Sequence, residues 1–313
     1  MPKLEEEEAR KALLALVEEK TCWGRDAADD LIFKNIEHTA AFHYILETYT
    51  ESRSTKWVHE PYVDQIIDGP MNGPAPAPWN IPVEMPTMFR NAVQHVEVPH
   101  TASVKPCHNC RGSGYRQCVR CSGRGTTMCS WCGGDGWRIV SRYDGDHSYT
   151  DHEICYSCGG DGRKRCSPCD GSGRVMCRTC IGQGQLKCYI RLTVEWKNHM
   201  EDYIVERTAL PDELIRNVTG KTVFDEESPK VCPIKCFPVA EVNSGSGRLV
   251  QRHAHAYSQE RLHRQRHQIR VTPVVELQCQ YEDESFTYFV YGFENKVYAP
   301  DYPMQCCWGC SIL

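Results

Sequence analysis

The chain has 313 residues, which corresponds to one large domain or two domains of ordinary size. Charged residues make up 25% and hydrophobic residues 41%, so extensive disorder is not expected, and a formal net charge of -5 gives no electrostatic basis for a dedicated nucleic-acid-binding protein. No segment approaches about 18 consecutive apolar residues and the first residues do not resemble a signal peptide, so we expect a cytoplasmic protein.

The N-terminal region, residues 1–60, is expected to mix helices and strands. Residues 4–20 begin with a run of glutamates and then carry apolar residues at helical spacing, which predicts a short amphipathic helix packed on the body of the protein. The apolar residues at 31–36 fit a second helix, whereas those at 42–46 alternate as in a strand.

A proline-rich segment follows, and it separates this region from the centre of the chain. Residues 61–86 contain seven prolines, which favours an extended linker over residues 61–90. Residues 91–106 are rich in β-forming side chains and are expected to form a strand that leads into the next segment.

The centre, residues 107–184, is a cysteine repeat. Of the 20 cysteines, twelve lie here in six C-x-x-C pairs, each continuing as C-x-x-C-x-G-x-G. The pairs are Cys107/Cys110, Cys118/Cys121, Cys129/Cys132, Cys155/Cys158, Cys166/Cys169 and Cys177/Cys180. Disulfides are rare inside cells, so metal binding is the leading interpretation.

The repeat has the chemistry of structural zinc sites. Two thiolates separated by two residues grip one tetrahedral zinc ion from a tight turn, and two such turns complete a site. Glycine after each turn allows positive φ and brings backbone N–H groups near the sulfurs. A redox Cys-x-x-Cys instead sits at a helix N-terminus, where two glycines would not be expected, so a thiol–disulfide oxidoreductase is the weaker alternative.

The spacing indicates which pairs share a metal ion. The motifs start at 107, 118 and 129 and then at 155, 166 and 177, which makes two arms with one period of 11 residues. The Asp144-Gly145 dipeptide between the arms predicts a hairpin, and folding there brings the motifs into nested register. Nesting predicts three zinc sites of four cysteines, whereas pairing of successive motifs is the competing arrangement. The three nested sites are Cys107, Cys110, Cys177 and Cys180; Cys118, Cys121, Cys166 and Cys169; and Cys129, Cys132, Cys155 and Cys158.

The segment 107–184 resembles the cysteine-rich domain of DnaJ, in which four C-x-x-C-x-G-x-G motifs fold as an antiparallel hairpin. Six motifs here imply one additional zinc site. The chain lacks the His-Pro-Asp signature of a J domain, so the co-chaperone activity of DnaJ is not implied. With its flanking regions, the whole chain resembles the Ssu-two homologue family.

The C-terminal region, residues 185–300, is expected to be rich in β-structure. Residues 186–196 alternate cleanly, residues 212–218 fit a short helix, and residues 269–281 and 286–293 form two β runs. The predicted fold class is therefore α+β: a mainly antiparallel β-domain with N-terminal helices and an inserted, zinc-stabilised β-hairpin arm of the DnaJ type.

Residues 248–270 form a charged segment that invites a second interpretation. They hold six arginines and four histidines against a single acid, Glu260. A nucleic-acid surface is one interpretation, but the segment has only one aromatic residue, Tyr257, and a solvated, charged loop is more common.

The tail, residues 301–313, ends in a sequence that fits a C-a-a-X prenylation signal. Its cysteine is Cys310, and leucine in the last position favours geranylgeranyl. One lipid chain anchors weakly, and S-palmitoylation of Cys306 and Cys307 would supply a second signal. Membrane association through this tail is therefore expected, with nuclear residence as an alternative.

Motifs of common catalytic sites, such as G-x-S-x-G, a P-loop or H-E-x-x-H, are absent from the sequence. We therefore expect a non-enzymatic zinc protein. Resemblance to DnaJ implies chaperone-like binding of unfolded or partner polypeptides. The alternatives are a thiol–disulfide oxidoreductase and a nucleic-acid-binding adaptor.

Overall fold

The structure is a computed structural model that describes residues 4–144 and 147–305. The chain divides into two compact units. The first unit comprises the described parts of Met1–Ser52, Glu84–Val93 and Glu195–Leu313, and the second comprises Arg53–Val83 and Gln94–Val194. The cysteine repeat therefore lies within the second unit.

Helices are few, and antiparallel strands dominate the described residues. The helices are α1 (Glu6–Glu19), α2 (Asp26–Asp30), α3 (Asp212–Arg216) and α4 (Ala240–Ala256), with short 3-10 turns at Pro70–Asn72, Pro78–Asn80 and Ser167–Cys169. The strands are β1 (Ile32–Pro61), β2 (Ala92–Glu97), β3 (Ser103–Pro106), β4 (Tyr115–Gln117), β5 (Thr126–Met128), β6 (Trp137–Asp144), β7 (His147–Ile154), β8 (Arg163–Arg165), β9 (Arg174–Met176), β10 (Gln185–Val205), β11 (Lys221–Ser228), β12 (Arg261–Tyr281), β13 (Glu284–Tyr291) and β14 (Lys296–Tyr298).

The largest sheet has the strand order β14-β13-β12-β1-β10-β2, with β11 also paired to β12 and β3 to β10. In the first unit, β12 pairs with β1 in antiparallel register from Ile32↔Gln280 to Glu51↔Arg261. The helix predicted at 31–36 is wrong: α2 ends at Asp30, and from Ile32 the backbone is extended because it pairs with β12.

Helix α1 forms where its sequence pattern predicts it, and it packs on the sheet of the first unit. Its buried residues, Ala9, Leu13 and Val17, recur at intervals of four and so lie on one face. They share a core cluster with Leu277 of β12 and Tyr288 of β13. The packing role expected for residues 4–20 is therefore confirmed.

The charged segment 248–270 is not a loop. It forms the second half of α4 and the first half of β12, and the apolar face of α4 packs against the sheet through Leu249 and Val250. Several of its arginines bond to acids on neighbouring strands, as Arg264 does to Glu227 at 3.0 Å. The positive charge of this segment is visible in the sequence. The acids that face it are not, because they lie far away in the chain.

In the second unit, the repeat is built from three short antiparallel pairs that nest inside one another. Strand β4 pairs with β9, β5 with β8, and β6 with β7, while β3 pairs with β10 at the start and end of the repeat. The expected turn at Asp144-Gly145 includes residues 145 and 146, which lie outside the described residues. The strands on either side of it pair from Trp137↔Ile154 to Asp144↔His147.

The proline-rich segment lies in the same unit and is attached to β1. The guanidinium group of Arg53 donates hydrogen bonds to the backbone oxygens of Pro78, at 2.6 Å, and Ile81, at 2.8 Å. These two hydrogen bonds attach the segment to β1 although it forms no strand there. This suits a proline-rich sequence, because proline has no N–H group to donate to a β-ladder.

Glycine allows the two arms of the repeat to approach each other at every step. A Cβ atom on Gly125 would lie 2.2 Å from the backbone oxygen of Gly171, and one on Gly114 would lie 2.2 Å from that of Gly182. By contrast, a Cβ atom on Gly133 would meet nothing within 4 Å, although Gly133 also has positive φ (+65°). Comparing substitutions at Gly125 and Gly133 therefore separates the cost of positive φ, which both share, from the cost of a clash with the facing backbone, which only Gly125 has.

We predict that Gly125→Ala destabilises the repeat more than Gly133→Ala. Both substitutions incur the left-handed penalty of about 1–2 kcal/mol, and overpacking at Gly125 adds about 1–3 kcal/mol. Guanidinium unfolding of the two variants, followed by circular dichroism, measures the difference. Equal stability of the two variants would contradict the close approach.

Candidate metal centre

The nested strands bring the twelve cysteines of the repeat into three groups of four. The groups are Cys107, Cys110, Cys177 and Cys180; Cys118, Cys121, Cys166 and Cys169; and Cys129, Cys132, Cys155 and Cys158. Within each group, all four sulfur atoms lie within 4.8 Å of one another. The sets are those that nested pairing predicts, and each could hold a metal ion.

The sulfur spacing fits tetrahedral coordination. The Sγ atoms of Cys107 and Cys177 are 3.8 Å apart, and those of Cys110 and Cys180 are 3.7 Å apart. The other two groups repeat these distances, at 3.7 Å between Cys121 and Cys169, for example. A tetrahedron with Zn–S bonds of about 2.3 Å has S–S edges of about 3.8 Å, whereas a disulfide bond is about 2.05 Å long. The geometry therefore suits a metal centre and not a cross-link.

Each pair of cysteines is set by a tight turn whose glycines direct backbone N–H groups at sulfur. In the first motif, the Gly114 N–H donates to Cys110 Sγ at 3.3 Å, and in the last motif the Gly184 N–H donates to Cys180 Sγ at 3.2 Å. Both glycines have positive φ, which the turn requires. N–H donors of this kind stabilise the negative charge of a thiolate ligand.

Backbone hydrogen bonds join the two turns of each group. The Cys107 N–H donates to the Gly184 oxygen at 2.7 Å, and the Cys177 N–H donates to the Gly114 oxygen at 2.9 Å. The same reciprocal pattern joins the second group, where Cys118 and Cys166 are the donors. Backbone hydrogen bonds thus hold the two facing turns in register, in addition to the sulfur groups at their centre.

The electrostatics of the groups favours a divalent cation. Burial raises the pKa of the Cys166 thiol, whereas the backbone N–H of Cys180 lowers that of the Cys177 thiol. Four thiols at this spacing cannot all ionise easily, because thiolates that lie together repel. A 2+ ion at the centre would remove that repulsion, so the groups suit a divalent metal ion that accepts soft thiolate ligands in a closed tetrahedral shell.

The groups are buried, and their donor sets are complete. Eleven of the twelve cysteines are buried, and Cys158 of the third group is partly buried. Four sulfurs fill a tetrahedral shell and leave no position for water or substrate, as in structural sites and unlike catalytic sites. What the arrangement can do chemically is therefore to hold two strands of the chain together.

The cysteines outside the repeat do not extend these sites. Cys188, which continues the 11-residue period, packs against the first group without belonging to it. Cys232 and Cys236 are exposed and Cys279 is buried, all as free thiols. Cys306, Cys307 and Cys310, the cysteines of the expected lipidation site, lie outside the described residues.

One polar contact across the first group was not anticipated. The Asn109 side chain donates to the Thr179 hydroxyl at 2.8 Å, and these residues occupy the same position between the two cysteines of facing motifs. Once the motifs are aligned in nested order, this correspondence is visible in the sequence. It adds a side-chain link to the backbone bonds between the turns.

We predict that double substitutions distinguish the two pairing schemes by metal content. Cys107→Ser with Cys177→Ser removes ligands from one nested group, so two metal ions should remain. Pairing of successive motifs would leave only one, because these cysteines would then belong to different sites.

The reciprocal variant, Cys107→Ser with Cys118→Ser, is the matched control. It should retain one metal ion under nested pairing and two under successive pairing. Zinc release by acid, measured with a colorimetric chelator on purified protein, reports both values. A reversal of the two counts would refute the nested groups.

Comparison with known proteins gives the relationship of the whole chain. No family model matches it. It is 40% identical to Protein SSUH2 homolog of Homo sapiens over 316 residues, which cover 100% of this chain and 81% of the human protein. It is 41% identical to Protein SSUH2 homolog of Danio rerio, with 100% of this chain and 83% of the relative covered, and 40% identical to that of Mus musculus over 81% of this chain and 72% of the relative. The resemblance inferred from the sequence is confirmed, and the chain belongs to the SSUH2 homologue family.

Proposed function

We propose that the protein is a non-enzymatic zinc protein whose cysteine repeat and β-sheets bind other polypeptides, in the manner of a chaperone or adaptor. The observation that carries the proposal is the set of three four-cysteine groups at tetrahedral spacing. They support a stiff, metal-stabilised segment with no open coordination position. Such a segment is suited to presenting a surface and not to chemistry at the metal.

The proposed architecture of the repeat is a hairpin arm of the DnaJ cysteine-rich type, with one additional zinc site. The nested pairing of β4 with β9, β5 with β8 and β6 with β7 supports this, since it is the order that the DnaJ resemblance implies. Much of the stability of the arm is then metal-binding energy, because no preformed site exists in the unfolded chain.

A thiol–disulfide oxidoreductase fits the geometry less well. Redox cysteines have an accessible thiolate next to their partner sulfur. Here eleven of the twelve cysteines of the repeat are buried, and Cys107, Cys129 and Cys166 are each 0% exposed. Burial of this kind supports a structural role for the cysteines.

A nucleic-acid-binding adaptor also fits less well, because arginines of the basic segment 248–270 already have partners. Arg252 bonds to Glu201 at 2.8 Å, and Arg266 bonds to Glu47. A phosphate would have to displace these carboxylates. Electrostatic attraction to a nucleic acid is correspondingly reduced.

The proposal for location rests on the tail sequence. Prenylation of Cys310, with palmitoylation of Cys306 or Cys307, would attach a cytoplasmic protein to a membrane, and nuclear residence is the alternative. In the part of the chain that the structure describes, no helix has the length and apolar character needed to cross a bilayer.

We predict that the zinc-loaded protein suppresses aggregation of a chemically denatured client such as citrate synthase, and that this suppression falls when zinc is chelated. Light scattering at equimolar protein measures the effect. Loss of zinc should also lower the β-signal in circular dichroism, because the four-sulfur groups hold the short strands together.

The matched control is the metal-bound protein treated with the chelator already saturated with zinc. It should suppress aggregation as well as the untreated protein does. Failure of the loaded protein to reduce scattering, or an unchanged spectrum after complete zinc removal, would contradict the proposal.

We predict that the purified protein does not catalyse reduction of insulin by dithiothreitol or the refolding of scrambled ribonuclease. Buried sulfurs shared between facing motifs cannot attack an external disulfide. Turbidity and recovered ribonuclease activity measure the two reactions. Turnover that is lost in the Cys118→Ser variant would establish the oxidoreductase instead.

A further inference from the structure

Each of the three short ladders of the cysteine repeat has one face that the metal groups do not explain, and the three equivalent faces are together called the arm face. In an antiparallel pair, directly opposed residues point to one side and successive residues alternate. Each motif of the first arm is followed by a ladder strand. The first and third residues of that strand lie on one face of the ladder, and their partners in the second arm lie on the same face. The arm face consists of Tyr115, Gln117, Thr126, Met128, Trp137, Ile139, His152, Ile154, Arg163, Arg165, Arg174 and Met176.

Half of the arm face is large and apolar. Its apolar members are Tyr115, Met128, Trp137, Ile139, Ile154 and Met176, which are between 45% and 69% exposed. They form the cross-strand pairs Tyr115↔Met176 and Trp137↔Ile154, and Met128 and Ile139 lie on the same faces. A protein normally avoids this much exposed apolar surface on a stiff element unless something binds to it.

The remaining charge on the arm face is positive. Arg163, Arg165 and Arg174 are exposed and lie on the second arm, and none of the twelve positions is acidic. One of these arginines, Arg165, bonds to Asp170 at 2.8 Å, but both side chains are exposed, so water competes with that pair.

The opposite face of the tip ladder differs in charge. There Arg142 bonds to Asp151 at 3.2 Å and to Glu153 at 2.5 Å, so its cation and its acids neutralise each other locally. The large apolar side chains therefore distinguish the arm face from the side behind it, where Arg116 and Lys164 of the other two ladders also carry positive charge. A ligand of the arm face would need apolar groups and negative charge together.

We propose that the arm face binds an extended polypeptide segment in which apolar side chains stand beside carboxylates. This rests on the proposed polypeptide-binding function and names its surface and the class of its partner. Apolar side chains of the segment pack on the cross-strand pairs, and its Asp and Glu residues face Arg163, Arg165 and Arg174.

A polypeptide suits this surface better than a single-stranded nucleic acid. Four of the six apolar residues, Met128, Ile139, Ile154 and Met176, have no aromatic ring on which a base could stack. The ring of Trp137 already lies against the ring of His152, with their centroids 4.0 Å apart. Aliphatic side chains in this proportion favour aliphatic partners.

The test is fluorescence anisotropy with the zinc-loaded full-length protein and labelled probes. One probe is an extended peptide of about ten residues that alternates leucine or phenylalanine with glutamate. A second replaces each glutamate by lysine, and a third is a single-stranded RNA. We expect the acidic peptide to bind at least about tenfold more tightly than the basic peptide.

Two variants of the arm face should weaken this binding by about tenfold or more. Tyr115→Ser with Met128→Ser and Ile139→Ser removes one apolar side chain from each ladder, and Arg163→Glu with Arg174→Glu reverses the charge.

The controls are exposed residues outside the ladders. Val93→Ser with Met200→Ser and Val223→Ser, which are 59%, 67% and 47% exposed, and Arg120→Glu with Arg178→Glu should bind as the unchanged protein does. Zinc content measured on every variant shows that the repeat has kept its metal groups.

The outcomes separate the inference from the proposed function. If the protein suppresses aggregation but the arm-face variants bind as tightly as their controls, the inference is wrong and the proposed function stands. Equal or tighter binding of the basic peptide, or RNA binding that the arm-face variants abolish, also overturns it. Failure of the unchanged protein to bind any polypeptide overturns both.

Discussion

The meeting of four sulfurs, two from each arm, is the constraint on which the cysteine repeat depends, and each such group could hold a metal ion. Its paired strands β4, β5, β8 and β9 have three residues each, too few to be stable alone in water. What joins them is the meeting of facing C-x-x-C turns, as where Cys118 and Cys121 meet Cys166 and Cys169. A repeat without an apolar core of its own can still be stiff where metal–ligand bonds replace buried area.

The same constraint explains the composition of the repeat. The close approach of Gly125 to the Gly171 oxygen leaves no room for a side chain, and the N–H groups after each turn must reach sulfur. With the interior occupied by sulfur and glycine, most of the large ladder side chains are exposed, although Val175 packs against the second group. Residues such as Met128 and Ile139 therefore form part of an exposed surface and not of a core.

Much of the candidate site could be predicted from the sequence, because the repeat is local and regular. Six motifs of one C-x-x-C-x-G-x-G pattern and one 11-residue period identify the candidate ligands and their nested partners, and Asn109 opposite Thr179 follows once the motifs are aligned. The first unit was harder to predict. The apolar residues at 31–36 fit a helix until β12, more than 200 residues away, pairs with them, and the arginines of 248–270 look unpaired until Glu227 and Glu201 are placed beside them. Such long-range pairing leaves no local signal.

The most direct test of the account is native mass spectrometry of the full-length protein from eukaryotic cells, compared with its denatured spectrum. The difference in mass counts the bound metal ions and identifies them as zinc. Three zinc ions per chain, one for each four-cysteine group, is the predicted result. A chain with no zinc and with a denatured mass lowered by disulfide formation would contradict the central claim that these cysteines are metal ligands.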